Sequence, residues 1–392
     1  MTSAPHNPAK LSERTLNIAE SSTTKLMGEV QQRKAGGEKI ISFNAGEPDF
    51  DPPALILEAT QHALFNGKTK YGAVAGELVL RKAIAQKLFK DNGIDVTPEQ
   101  ILVANGSKQI LYMIFQGLCN PGDEVIVLTP YWVTFPEGIK LAGGVPVFVE
   151  TIDHQPDLAA IEAAITPRTK AILINSPNNP TGAVYPKETL QAIGELAVAN
   201  EIYVISDEAY EGLVFHGAEH ISMASLSSEI ARWTITTQTF SKSYCMTGFR
   251  VGYLAADLSV VSALNKMNSH LTGNACTFAQ YGAVGALEAD SAVFADMQKV
   301  FEKRLDLAYP LCQELFPCVK PTGAFYLFPD IGNYLGERFV DDNAFAAYLL
   351  SEAKVAVVPG SAFGAPGHLR VSFSTSEAEI QQGFAQIKAA LK

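Results

Sequence analysis

From about residue 100 onward, short runs of aliphatic and β-branched residues alternate with longer segments of helical periodicity. The runs are ILVAN, DEVIVLTP, VPVFVE, KAILINSP, IYVISDEAY, WTITTQTF and RVGYLAA. Between them, segments such as SKQILYMIFQGL and KETLQAIGELAVAN repeat their apolar residues at helical spacing and run into Gly, Asn or Pro. Near-continuous apolar strands separated by helices predict an α/β fold with a mostly parallel sheet covered by helices. At 392 residues the chain exceeds what one core usually serves. Residues 46–289 are expected to form a large domain. After about 290 the pattern changes to helical SAVFADMQKVFEKRLDLAYPLCQEL, then FYLFPDI, NAFAAYLLSEA, KVAVVPG and HLRVSFS, which predicts a smaller α+β domain over 290–392. Residues 1–45, with the helical TTKLMGEVQQRKAGG, are expected to form an arm that packs on the small domain or on a partner chain.

In an open α/β sheet, ligands bind beyond the carboxyl ends of the strands, where loops and helix N-termini converge. Five predicted strand ends carry polar or aromatic residues to that rim: Gly106-Ser107-Lys108, Tyr131-Trp132, the NNPTG segment containing Asn179, the DEAY segment containing Asp207 and Tyr210, and Ser241-Lys242. Gly106 and Ser107 open a helix, so they are either a plain cap or part of a phosphate site. Arg250, eight residues past Lys242, supplies a guanidinium fork for a dianion, and Thr239 and Ser241 add hydroxyls to the same corner. Neither GxGxxG opening a first βαβ unit nor GxxxxGK[ST] is present.

Asp207 ends an apolar strand, where a carboxylate is costly unless it meets a cation or several donors; a helix N-cap and a pyridinium N–H partner both remain open. Tyr210 offers a phenol, Asn179 an amide and Trp132 a flat face for stacking, although a turn at NNPTG and a core tryptophan are the plainer readings of the last two. A lysine beside a phosphate cup, a stacking ring and a buried carboxylate is the set needed to hold pyridoxal 5′-phosphate as a Schiff base. Neighbouring cations and desolvation would lower the pKa of Lys242 so that it acts as nucleophile and proton carrier.

Composition excludes other classes. Thirty Lys and Arg against 41 Asp and Glu leave a net charge of -11 with no basic run, so no nucleic-acid partner is expected. The five cysteines are scattered without a CxxC pair, which predicts neither a disulfide framework nor a metal site. No signal-peptide pattern or membrane-length apolar stretch is present, and a cytoplasmic protein without membrane attachment is expected.

The ordered motifs NAGEPDFDPP, KTKYGAVAGE, VANGSKQ, PGDEVIVLTPYW, NSPNNPTGAVYP, SDEAYEG, SKSYCMTGFRVGY, PTGAFY and HLRVSFSTS span nearly the whole chain. They resemble those of the class I pyridoxal-phosphate aminotransferases of fold type I, in the bacterial aspartate and broad-specificity branch. The resemblance implies Lys242 as the cofactor lysine, Asp207 as the pyridinium partner, Tyr210 and Asn179 as bonds to the ring hydroxyl oxygen, and Trp132 as the stacking ring. It implies that Arg250, Thr239, Ser241 and the Gly106-Ser107 turn hold the phosphate. Tyr71 would reach a phosphate across a homodimer with shared sites, Arg370 would grip the substrate α-carboxylate, and the Gly46 backbone would border the same place.

The sequence also departs from some relatives. Animal and enteric aspartate aminotransferases bring an arginine from the partner chain to the distal carboxylate. The corresponding MNSHLTGNACTF has none, and His270 is its nearest cationic residue. Lys108 matches the lysine that takes this role in the bacterial branch, while Ala19 stands where some relatives carry an N-terminal lysine. Cys245 reads as a packed hydrophobe, and His216 and His220 as loop residues without a role. The expected reaction is transfer of an amino group from an L-amino acid, best matched by aspartate, to 2-oxoglutarate by a ping-pong mechanism. Aromatic or broad specificity, another pyridoxal-phosphate reaction (elimination, decarboxylation or cyclisation), and a cofactor-sensing regulator are the alternatives.

Overall fold

The computed structural model describes residues 11–392. Its central sheet has eight strands: β1 Ile101–Ala104, β2 Glu124–Thr129, β3 Val145–Ile152, β4 Gln155–Pro156, β5 Thr169–Asn175, β6 Tyr203–Asp207, β7 Thr234–Thr239 and β8 Gly252–Ala255. They lie in the order β1-β8-β7-β6-β5-β2-β3-β4. The run β3-β2-β5-β6-β7 is parallel, whereas β8 is antiparallel to both of its neighbours and β4 to β3. The apolar runs of the sequence are therefore the strands of a doubly covered sheet. Alternate residues serve opposite faces: Val125, Val127 and Leu173 join one core with Ile110, Met113 and Ile114, while Ile126, Leu128 and Ile174 join another with Leu190 and Ile193.

A third core, rich in aromatic residues, gathers Phe301, Phe316, Phe325, Phe345 and Phe373 from the C-terminal segment around Ile41, Phe43 and Tyr210. A three-stranded sheet with Leu369–Ser372 between Tyr326–Leu327 and Val358–Pro359 lies in this region, and Ile41–Ser42 pairs in parallel with Val355–Ala356. The helix Ser22–Ala35 is capped by Ser21 and buries only Val30, which packs with Ile40, Leu350 and Ala356. The helix Ser22–Ala35 thus lies on the C-terminal part of the chain.

Two glycines let β1, β8 and the helix Ser107–Leu118 meet at the rim. Gly106 has φ of +80°, a left-handed backbone. A Cβ on Gly252, which pairs with Ala104 and Thr239, would stand 2.6 Å from the backbone nitrogen of Ser107. Gly252→Ala is therefore expected to lower stability by about 1–3 kcal/mol, read from the urea midpoint. Gly248→Ala, whose Cβ would meet nothing within 4 Å, is expected to stay within about 0.5 kcal/mol of the parent.

Candidate active site

Parallel register sets Asn175 and Asp207, the last residues of β5 and β6, side by side with Thr237 of β7. Thr237 Oγ1 donates to Asp207 Oδ1 at 3.3 Å, and Asn175 Nδ2 donates to the Asp207 carbonyl at 2.9 Å. Asp207 is buried, and burial pushes its carboxyl up to about 7; Thr237 and the Ala209 N–H oppose this, Glu208 adds to it, and Lys242 opposes it. The loop after β5 is tied back by the Asn179 N–H on Asn175 Oδ1 at 2.9 Å, which aims Asn179 Nδ2 at the Tyr210 hydroxyl, 3.3 Å away. Tyr210 and Tyr326 share a hydrogen bond of 2.9 Å. Burial, reinforced by Tyr326, raises the Tyr210 phenol well above its ordinary range, so it stays protonated and can donate.

The second corner is built on Gly106. A Cβ there would lie 2.7 Å from Nη2 of Arg250, so the guanidinium lies over the turn that opens the helix Ser107–Leu118. Arg250 itself has φ of +56°, and its Nη1 donates to the Thr247 carbonyl at 3.0 Å. Thr239 Oγ1 donates to Ser241 Oγ at 2.9 Å and accepts from the Ser241 N–H at 3.2 Å. A guanidinium, first-turn amides and two hydroxyls at one place suit a phosphate dianion.

Between these corners Lys242 Nζ donates to the Gly46 carbonyl at 2.5 Å and lies 5.9 Å from the Tyr210 ring centroid. Burial lowers its pKa to about 8; Glu47 opposes the change, and Arg370, Arg250 and Lys108 reinforce it. Arg370, also buried, donates from Nη1 to Asn179 Oδ1 and from Nη2 to the Asn44 carbonyl, each at 3.1 Å, and stacks on Tyr326 at 4.5 Å. Its buried Nε has no hydrogen-bond partner among the described residues. Lys108 Nζ stands 5.2 Å from the Trp132 ring centroid, and burial and Arg250 lower its pKa.

One cavity of about 600 Å³ connects these groups, lined among others by Gly46, Ser107, Lys108, Trp132, Asn179 and Arg370. Asp207, Tyr210, Thr239, Ser241, Lys242 and Arg250 border it too. Two residues singled out from the sequence stand elsewhere: Tyr71 is 99% exposed, and His270, in the last turn of the helix Leu258–Leu271, is not in the lining. Ala19 donates its N–H to Glu137 at 2.8 Å.

Sequence reasoning missed three features. Tyr326 lies within the PTGAFY motif, but nothing local says that its hydroxyl meets Tyr210. Glu47, in NAGEPDF, accepts from Thr247 Oγ1 at 2.9 Å and borders the cavity with Thr23, Met27 and Gln31 of the helix Ser22–Ala35. His220, expected to be a loop residue without a role, is half-buried and lies 3.2 Å from Glu208 Oε2. His216 faces Glu302 and Asp306 on the surface, and Cys245 is buried with Sγ 3.2 Å from Met297 Sδ.

The residues fit pyridoxal phosphate. A buried carboxyl raised by its surroundings is suited to a ring N–H, the bare backbone of Gly106 lets the Arg250 guanidinium close on the first-turn amides as a phosphate needs, and the unpartnered buried Nε of Arg370 suits an anionic ligand. Comparison with known proteins shows the family. The family model for aminotransferase class I and II matches residues 38–387. The probable aspartate/prephenate aminotransferase of Aquifex aeolicus is 45% identical over 389 residues, 97% of this chain and 98% of that protein. The aspartate aminotransferase of Geobacillus stearothermophilus is 44% identical over 94% of this chain and 95% of its own length. The aspartate aminotransferase from Thermus thermophilus with maleate superposes with a TM-score of 0.93 at 40% identity, covering 97% of this chain and 99% of that one. Fold, cavity and near-complete alignment lead to one conclusion: the chain belongs to the class I and II aminotransferases, enzymes of fold type I that work with pyridoxal 5′-phosphate.

Proposed function

We propose that this aminotransferase moves the amino group of aspartate to 2-oxoglutarate, with Lys242 as the nucleophile and proton carrier. The observation that carries the reading is the meeting of Lys242, Asp207 and Arg370 in one cavity. Bound pyridoxal phosphate supplies an electron sink for the pair left when the substrate loses its α-proton. Asp207 holds a proton at the ring nitrogen, which keeps the ring electron-poor. Tyr210 and Asn179 would donate to the ring oxygen, Trp132 would cover a ring face, and Arg250, Thr239, Ser241 and the Gly106-Ser107 turn would hold the phosphate end. Arg370, oriented by Asn179 and Asn44, binds the α-carboxylate, and the Gly46 carbonyl orients Lys242 Nζ. With burial lowering its pKa to about 8, Lys242 loses its proton far more readily than an ordinary lysine and could serve as the base that takes the substrate's α-proton.

For the distal carboxylate we propose Lys108. It lies against Trp132 inside the cavity, and Arg250 nearby disfavours its charge unless an anion arrives. That the Thermus structure carries maleate, a four-carbon dicarboxylate, supports the same reading. Aromatic or broad specificity is the alternative that loss of Lys108 tests.

We further propose a homodimer in which Tyr71 completes the partner's phosphate site. A tyrosine 99% exposed near Phe65, itself 82% exposed, with Leu57 and Leu64 also open, supports a surface meant to be covered. The division into an arm (1–45), a large domain (46–289) and a small one (290–392) is supported by the aromatic core that the C-terminal segment dominates, although Ile41, Phe43, Tyr210 and Phe215 join it from outside that segment. No helix among the described residues is long and apolar enough to cross a membrane, and a cytoplasmic location is part of the same proposal.

Lys242→Ala is expected to lose the visible absorbance and borohydride-trappable adduct of lysine-bound cofactor; normal turnover in that variant overturns the assignment. Because the Lys242 amine is neutral above about 8, cofactor-free protein should combine with pyridoxal phosphate faster as pH rises, levelling off above that value. A rate still climbing towards 10.5, the ordinary lysine value, in stopped-flow absorbance would mean that another lysine reacts. Lys108→Ala should reduce kcat/KM for aspartate and glutamate by about 2 kcal/mol or more, on the order of thirty-fold, while sparing neutral and aromatic donors; equal losses for all donors remove Lys108 from the reading.

A further inference from the structure

Asp207 is followed by a second buried acid. Glu208 is 1% exposed, and its N–H donates to the Thr237 carbonyl at 2.9 Å, so Thr237 ties both residues to β7, one through its hydroxyl and one through its backbone. Successive residues at a strand end face opposite ways. Asp207 borders the cavity, and Glu208 enters a polar cluster on the other side. There its carboxylate accepts from Ser206 Oγ at 2.9 Å, the Met223 N–H at 3.4 Å, His220 Nε2 at 3.2 Å, Ser222 Oγ at 2.7 Å and Gln238 Nε2 at 3.2 Å. Five donors on one carboxylate outweigh the cost of burial, and Glu208 stays below the usual carboxylate range.

The cluster extends away from the cavity. Gln238 Nε2 also donates to Glu211 at 2.7 Å, and Gln238 Oε1 accepts from Tyr253 and, at 3.0 Å, from Lys87 Nζ. Lys87 pairs with Glu211 and donates to Asn92 Oδ1 at 2.8 Å; Asn92 Nδ2 donates to Glu211 at 2.7 Å and to Ser222 at 2.8 Å. Ligand atoms of Glu208, Glu211 and His220 lie within 4.8 Å of one another, but the cation among them is the chain's own Lys87 ammonium. None of these side chains borders the cavity, and no step of the reaction uses them.

We propose that Glu208 is a positioning residue of the cofactor site: fixed as an anion behind the strand end, it holds Asp207 in place and makes that carboxylate the stronger acceptor for the ring N–H. The inference rests on the reading of Asp207 as the ring-nitrogen partner. The groups that face Glu208 are His220, Ser206, Ser222 and Gln238, with Glu211 and Lys87 behind Gln238; those around Asp207 are Thr237, the Ala209 N–H and Lys242. A like charge beside a carboxylate disfavours its ionised form, which strengthens its grip on a shared proton.

The test uses holoenzyme of Glu208→Gln, Asp207→Asn, the double variant and Glu208→Asp. It measures kcat per bound cofactor, KM, and the pH at which the visible band of bound cofactor changes. Glu208→Gln should lower kcat about tenfold with KM little changed and move the band transition to higher pH, because a ring with less positive charge lets the neighbouring nitrogen keep its proton. Added to Asp207→Asn, it should change neither quantity further. Glu208→Asp, which keeps the charge, should retain the wild-type transition and remains informative if the glutamine variant does not fold. The proposal is overturned if Glu208→Gln lowers only melting temperature and cofactor content, if its effect persists in full on the Asp207→Asn background, or if Glu208→Asp is equally impaired. Wild-type kcat and band transition in Asp207→Asn would instead overturn the reading of Asp207 on which the proposal rests.

Discussion

The parallel pairing of β5, β6 and β7 is the constraint on which the site depends. It brings Asn175, Asp207 and Thr237 into one row, and the loops leaving those strands then carry Asn179, Tyr210 and Lys242 to the same rim. A slip of one residue in β6 would turn Glu208 to the cavity and Asp207 into the cluster that now holds Glu208. The two acids are chemically alike. Only the register decides which becomes the basic, weakly bonded carboxyl and which the fully bonded anion.

Burial acts in opposite directions on the two central groups. It raises Asp207 and lowers Lys242, bringing both close to neutrality, where small changes in surroundings decide who carries a proton. Arg370 and Arg250 keep a positive field over the lysine, so an anion entering the cavity meets charge already in place and little reorganisation is needed. A cofactor that brings a cationic N–H to Asp207 and a dianion to Arg250 compensates both strains together, and its binding stabilises the folded chain accordingly.

Much of this was legible in the sequence because parallel strands are buried on both faces and their ends stand out as abrupt changes to Gly, Ser, Asp or Lys. The cap at Gly106-Ser107 and the lone Trp132 had two readings each. Neither pair of readings contained the contacts that the fold supplies, Arg250 over Gly106 and Lys108 over the indole. Contacts between distant segments left no local trace: Tyr210 and Tyr326 are 116 residues apart, and Lys87 and Gln238 are 151 apart. His220 looked like a loop residue because its partner, Glu208, sits in a strand-end motif already explained by Asp207. A polar cluster has no periodicity, so it is visible only in three dimensions.

The helix Ser22–Ala35 borders the mouth of the cavity through Thr23, Met27 and Gln31, yet contributes a single buried residue, Val30, to any core. Different parts of the cavity wall are thereby held with very different firmness. The strand ends are locked into the sheet and tolerate little change, whereas Thr23, Met27 and Gln31 could be replaced at almost no risk to folding. Drift along this one exposed helix could therefore reshape the edge of the cavity while the row of strand ends behind it stayed as it was.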